Sequence, residues 1–186
     1  VCYDNEEVGS GTKQGAESNF LYDVLHRINT ALGKKEEAYY RALANSFMLS
    51  ADNAHAVHPN HPEKTDATNC VYMNEGIVVK SHAGQKYTRD AVSIAVFRRI
   101  CEEAGVPVQF FANRSDMAGG STLGNISSTK VAMNAVDIGL PQLAIHSSYE
   151  TAGIKDTYYM VKAMEMFYKT TIYEVSESVW NIDVPS

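Results

Sequence analysis

The chain has 186 residues, 45% of them hydrophobic and 20% charged, with a formal net charge of -6, which is ordinary for one globular domain with its own core. The acidic balance and the lack of a basic stripe argue against nucleic acid or an anionic membrane as a partner, because both reward clustered Lys and Arg. Apolar runs such as Gly76-Ile77-Val78-Val79 are too short to span a bilayer, and nothing at the start has the basic-then-apolar form of a signal peptide.

Three cysteines, Cys2, Cys70 and Cys101, fall outside CxxC spacing and predict neither a disulfide framework nor a thiolate zinc site. A reducing cytoplasm fits them. Val1-Cys2-Tyr3 reads as the interior of a strand running into a polar cluster, and with no Met before it the sequence predicts a cut chain. Gly9-Ser10-Gly11-Thr12 is a turn-rich loop. Residues 16–32 then place Phe20, Leu21, Val24, Leu25, Ile28 and Leu32 at helical spacing, closed by Gly33.

A second helix is expected from Glu36 to about Ala44, followed by a buried strand at Phe47-Met48-Leu49 that ends at Ser50-Ala51-Asp52. Residues 53–74 are rich in His, Pro, Asn and Thr without a period and predict a long functional loop. A strand at 77–81 and a helix at 90–104 follow, with Val92, Ile94, Ala95, Val96 and Ile100 as its inner face and Gly105 as its stop. Another short strand covers 108–111. After a small-residue loop, a helix is expected around 127–134, strands at 135–140 and 143–145, and a closing helix at 155–168. Alternating strands and helices predict an α/β fold, a layered sheet covered on both faces.

Glu6 and Glu7 directly follow the predicted first strand. If strand geometry persists through them, their side chains point to opposite sides, so one carboxylate can bind a metal while its neighbour faces a water or substrate. Taken alone, adjacent glutamates are more often solvated surface. Asp52 and His146 are each expected at the end of an apolar strand, where α/β sheets collect ligands; the other reading of His146 is a hydrogen-bonded buried histidine. His55, His58 and His61 crowd one Pro-stiffened loop, but their spacing matches no closed zinc module. Lys80 and Tyr87 flank a turn at Ala83-Gly84, where a cation and a phenol either address an acidic or carbonyl group or decorate the surface.

Together these segments resemble the aspartyl aminopeptidase family of metallopeptidases. The likeness lies in Asp4-Asn5-Glu6-Glu7-Val8-Gly9-Ser10, in Gln14-Gly15-Ala16, in the run from Ser50-Ala51-Asp52-Asn53 through His55 to Asn60, and in Pro141-Gln142-Leu143-Ala144-Ile145-His146-Ser147. The resemblance implies a three-layer α/β/α sandwich with a mixed, largely parallel sheet, zinc-peptidase-like and incomplete at its N-terminal side. It implies two zinc ions sharing a bridging aspartate and a water, with Glu6 as general base, Glu7 and His146 on one ion and Asp52 on the other. By the same likeness His55, Lys80 and Tyr87 contact substrate, and residues 116–124 form a substrate-side loop. The implied activity is removal of N-terminal residues, Asp or Glu, from peptides by a large homo-oligomer.

In that family a further zinc histidine, the bridging aspartate and a dimerisation domain lie upstream of the glutamate pair. Residues 1–186 are therefore expected to be the C-terminal portion of a single catalytic domain, binding zinc weakly and inactive by itself, with one sheet edge or face uncovered and a tendency to associate. Two other readings stand beside this one: a related zinc aminopeptidase or deacylase of different specificity, and a non-catalytic scaffold that retains the carboxylates and histidines of an enzyme.

Overall fold

The computed structural model describes residues 1–87, 90–176 and 179–184. Two helices open it, α1 Phe20–Ala31 and α2 Glu36–Ala44, followed by strands β1 Phe47–Ala51 and β2 Ala54–His55 and a single 3-10 turn, Pro62–Lys64. Then come β3 Ile77–Ser81, α3 Ala91–Ala104, β4 Val108–Ala112, α4 Leu123–Ser128, β5 Asn134–Gly139, β6 Pro141–Leu143 and β7 Thr151–Ala152. The chain closes with α5 Ile154–Lys169 and a hairpin of β8 Thr171–Ser176 and β9 Val179–Asp183.

The main sheet has the order β1-β5-β3-β4, with β1 parallel to β5, β3 parallel to β4, and β3 antiparallel to β5. Strand side chains alternate between faces, so each strand feeds two different environments. Ile77, Val79, Val136 and Ile138 point to one side and join Phe97, Cys101 and Ala104 of α3 and Ala163 of α5 in the principal core. Val78 points the other way, into a smaller cluster with Ala54, Val71, Tyr87 and Phe111. Ser50, Lys80 and Asp137 are also buried, and by the same alternation they share that second face, where α4 packs against β1 and β5. The α/β class and the mixed sheet are as the sequence implied.

Helix α3 shows why the local sequence is decisive where it is. The Asp90 carboxylate accepts from Ser93 N at 2.7 Å and from Ser93 Oγ at 2.5 Å, capping the first turn, an arrangement worth about 1 kcal/mol. Gly105 ends the helix in the left-handed conformation, φ 63°. Its buried face is Ser93, Val96, Phe97, Ile100, Cys101 and Ala104; Ala95, expected inside, is exposed. The expected inner face is thus turned by about one residue, because Phe97 and Cys101 together bring more apolar area to the sheet.

Several expectations need correction. Residues 1–3 are not a strand, since no described strand pairs with them, and Glu6 and Glu7 lie within turns. Helix α1 starts at Phe20 rather than Ala16. Strand β1 is a half-buried edge strand, not a fully buried one. The helix expected around 127–134 is the short α4, because Asn134 already belongs to β5. The strand expected at 143–145 is instead β6, ending at Leu143, as Ala144 (φ 56°) and His146 (φ 64°) turn the chain out of strand geometry. The β8–β9 hairpin has no counterpart in the sequence reading.

Candidate metal centre

The site is assembled where the chain leaves β1 and β6. After β1 it continues alongside β5 and β6: Asp52 N donates to Ile138 O at 2.8 Å, Ala54 N to Leu140 O at 2.9 Å and Ala56 N to Gln142 O at 2.9 Å. Asn53 locks this path, its Nδ2 donating to Gln142 Oε1 at 2.6 Å and its Oδ1 accepting from Leu140 N at 3.1 Å. Gly139 makes the approach possible, because a Cβ there would sit 2.2 Å from Asp52 O. On the other side, His146 is held in its left-handed turn by Glu150, whose Oε1 accepts the His146 N–H at 2.8 Å, and by Ser147 Oγ donating to Ala144 O at 2.7 Å.

The opening segment meets this turn. His146 Nδ1 lies 2.9 Å from Glu7 Oε2 and 3.9 Å from Glu6 Oε2. Both glutamates therefore converge on one imidazole instead of pointing to opposite sides, a consequence of the turn that replaces the expected strand. Ligand atoms of Glu6, Glu7 and His146 all fall within 4.8 Å of one another. Carboxylate oxygens and an imidazole nitrogen at this spacing fit a zinc ion.

Beside this trio is a pocket of about 80 Å³ lined by Glu6, Asp52, His55, Lys80, Tyr87 and His146 among others. Lys80 is buried, with Nζ 3.6 Å from Asp52 Oδ1 and 5.4 Å from the centre of the Tyr87 ring. Tyr87 is buried too and donates its hydroxyl to Asn113 Oδ1 at 3.2 Å. Of the seven residues that the resemblance assigns to the site, six line the pocket and Glu7 is tied to it through His146. His58 and His61 stand apart from the trio, their rings 5.3 Å from each other and His61 paired with Glu63.

The groups perturb one another in a consistent direction. Partial burial raises the Glu6 carboxyl above its ordinary value, the Glu7 and Asp52 carboxylates add to this, and His146 opposes it. His146 is raised, chiefly by its hydrogen bond with Glu7. Burial lowers Lys80, while Asp52 and Asp137 hold it up. His55 is lowered by loss of solvent at its ring and then by the Lys80 ammonium, although the residue as a whole keeps an exposed edge. Burial raises Tyr87 against the pull of Asn113. A carboxyl whose proton affinity is raised in this way is better able to accept a proton from a neighbouring group.

The sequence reading missed Asn53, Asn113, Gly139 and Asp137. The last had a visible signal, an acid inside the apolar run Ala135-Val136-Asp137-Ile138, which a buried strand does not tolerate without a partner. Asn53 and Asn113 carry no such signal, because their roles depend on partners 89 and 26 positions away. The loop at 116–124 does reach the site, through Gly120, Ser121 and Thr122.

Residues 1–168 match the family described as aminopeptidase I zinc metalloprotease (M18), and the chain belongs to that family. It is 54% identical over 168 residues to a probable M18 family aminopeptidase 2 of Clostridium acetobutylicum, covering 90% of this chain and 39% of that protein. A cryo-EM structure of the Ape4 and Nbr1 complex superposes with a TM-score of 0.85 at 39% identity, over 89% of this chain and 31% of the other. The S. cerevisiae mApe1 dodecamer superposes at 0.77 with 31% identity, over 90% of this chain and 36% of that one. The chain thus spans well under half the length of the relatives it matches.

Proposed function

We propose that this chain carries the water-activating part of an aminopeptidase active site that removes acidic residues, Asp or Glu, from the N-termini of peptides. The observation that carries the reading is the convergence of Glu6, Glu7 and His146 beside a pocket floored by the buried Lys80. Glu7 and His146 would hold one zinc ion and Asp52 a second. When bound, zinc lowers the pKa of a water and polarises the scissile carbonyl. Glu6, its proton affinity raised by partial burial, takes the proton of the attacking water and passes it to the leaving amine.

Lys80 offers the substrate's acidic side chain an ammonium in a desolvated wall, where a charge-assisted bond is strong and a neutral side chain forms none. His55 lines the same pocket and contacts the peptide. Tyr87 can donate to the developing oxyanion once its hydroxyl releases Asn113.

Among the described residues, Glu6, Glu7, Asp52 and His146 fall short of two complete zinc shells, so the chain by itself is proposed to bind zinc weakly and to hydrolyse peptides poorly. Exposed Ile154, Tyr158, Val161 and Tyr168 along α5 support self-association, in keeping with the dodecamer among its structural neighbours. Three free thiols support a reducing compartment, the cytoplasm. Among the described residues, no helix is long and apolar enough to cross a membrane.

The test is hydrolysis of Asp-, Glu- and Leu-anilides by a polypeptide of the relatives' full length containing this chain. Zinc-dependent turnover of the acidic substrates is expected, with Lys80→Met losing about 100-fold on them and little on Leu. Equal turnover of all three would remove the acidic preference, and turnover unaffected by Glu6→Gln would remove the assigned base.

A further inference from the structure

We propose that Asp137 is a positioning residue for the pocket: buried beneath its floor, it fixes Lys80 and Thr122 and through them keeps Asp52 open to a cation. The inference rests on the reading of Asp52 as a cation ligand given above. Asp137 sits on β5 opposite Ser50 of β1 and is 0% exposed. A carboxylate this deep must be answered by donors or cations.

One answer is Thr122, whose Oγ1 donates to Asp137 Oδ2 at 2.6 Å, the length of a charge-assisted bond. The next residue, Leu123, directs its backbone N–H at Asp52 Oδ2 from 3.4 Å. The other answer is Lys80. The antiparallel register of β3 and β5 pairs Val79 with Ile138, and one step further along it Lys80 comes beside Asp137, whose charge acts on the ammonium. Lys80 Nζ in turn stands 3.6 Å from Asp52 Oδ1.

Asp137 therefore controls, through one residue on each side, the groups that face both oxygens of Asp52. The arrangement is tight. A Cβ on Gly124 would lie 2.5 Å from Ser50 Oγ and 2.8 Å from Asp137 Oδ1, so α4 reaches this position only with glycine there. The consequence is electrostatic. Lys80 is shared between two carboxylates, with Glu6 acting on it more weakly. Asp52 is already the larger of the two; if the charge of Asp137 is removed, Asp52 loses its competitor for the ammonium, which then closes on the oxygens a cation needs.

The experiment compares the parent chain with Asp137→Asn, Lys80→Met and the double variant, by zinc-free crystal structures, by zinc affinity in competition with a chelating dye, and by thermal melting. In D137N, Lys80 Nζ is expected to move from 3.6 Å to about 2.8 Å from Asp52, with zinc affinity about 10-fold weaker. In the double variant the affinity returns to that of K80M, because the competing cation is gone. A merely structural role would lower the melting temperature and give no such rescue. Lys80 unmoved in D137N, or an affinity loss that persists in the double variant, overturns the proposal.

Should D137N fail to fold, Thr122→Val, which keeps every charge, is expected to part Leu123 N from Asp52 and to weaken zinc about 3-fold; an unchanged structure and affinity would equally overturn it. If the parent chain binds no zinc, the functional reading above fails for the isolated chain, while the position of Lys80 in D137N still decides this one.

Discussion

Replacing Gly139 by Ala tests whether backbone contact, rather than side-chain chemistry, sets the position of Asp52. The new Cβ would lie 2.2 Å from Asp52 O, 2.7 Å from Asn53 Cα and 2.8 Å from Asp52 C. None of these is the tip of a flexible side chain, so relief requires the two backbones to part by roughly 1 Å or more. The hydrogen bonds from Asp52 N to Ile138 O and from Ala54 N to Leu140 O bracket the contact at 2.8 and 2.9 Å and cannot both survive that separation. Overpacking of this kind costs about 1–3 kcal/mol and each lost bond about 1 kcal/mol, giving about 2–4 kcal/mol together. In a chain of this size that lowers the melting temperature by roughly 5–15 °C. Urea unfolding and a thermal melt of G139A measure it. Gly120→Ala serves as the control, since a Cβ there meets nothing within 4 Å although the residue lines the same pocket. G139A within about 0.5 kcal/mol of the parent would refute the reasoning.

The Asp66 carboxylate accepts from the N–H groups of Thr68 and Asn69 and from both their side chains, which lowers it from 3.8 to about 2. A depressed folded pKa contributes stability above 3.8 that is lost as pH falls through about 2, so carbon-detected NMR should place its midpoint near 2, and Asp66→Asn should abolish the acid-dependent loosening of residues 66–69. Burial pushes the Cys101 thiol up to about 12, so iodoacetamide at pH 8 should label Cys2 and Cys70 at once and Cys101 only on unfolding; prompt labelling of all three would contradict its place in the core. His146 is raised above 6.5 mainly by Glu7, so the small stability it contributes is present below that pH and fades as pH rises through the folded value. In Glu7→Gln the imidazole midpoint should fall back toward 6.5 by proton NMR, and an unchanged midpoint would separate the two residues.

What the sequence disclosed follows from the range of the interactions involved. Helix α3 was legible because its start, its stop and its apolar period are local: Asp90 caps, Gly105 terminates, and the residues between repeat at helical spacing. Strand β3 was legible because the β-branched run Ile77-Val78-Val79 stands between Gly76 and the turn at Ala83-Gly84. The opening segment misled, since a strand exists only with a partner, and that is a fact about distant residues. The turn at Ala144 and His146 misled for a related reason: left-handed backbone at non-glycine residues is imposed by Glu150 and Ser147, and nothing in their local sequence advertises it. The candidate residues converge despite both errors, because a motif fixes which side chains are present while the fold decides how they are delivered.

The mixed strand directions explain why the pocket's cation is buried while its acids and imidazole are reachable. Strands β1 and β5 run the same way, so Asp52 leaves at the C-terminal end of β1, and the chain beyond β5 carries His146 to the same rim. Strand β3 runs against β5, and the register that aligns Val79 with Ile138 keeps Lys80 within the sheet, approaching the pocket from below. An ammonium delivered from inside a sheet loses its water and must be compensated by neighbouring carboxylates. Asp52 and Asp137, on either side of it, are that compensation. Had β3 joined in parallel, its C-terminal end would have reached the open rim with the others, where solvent would supply what the second carboxylate now does.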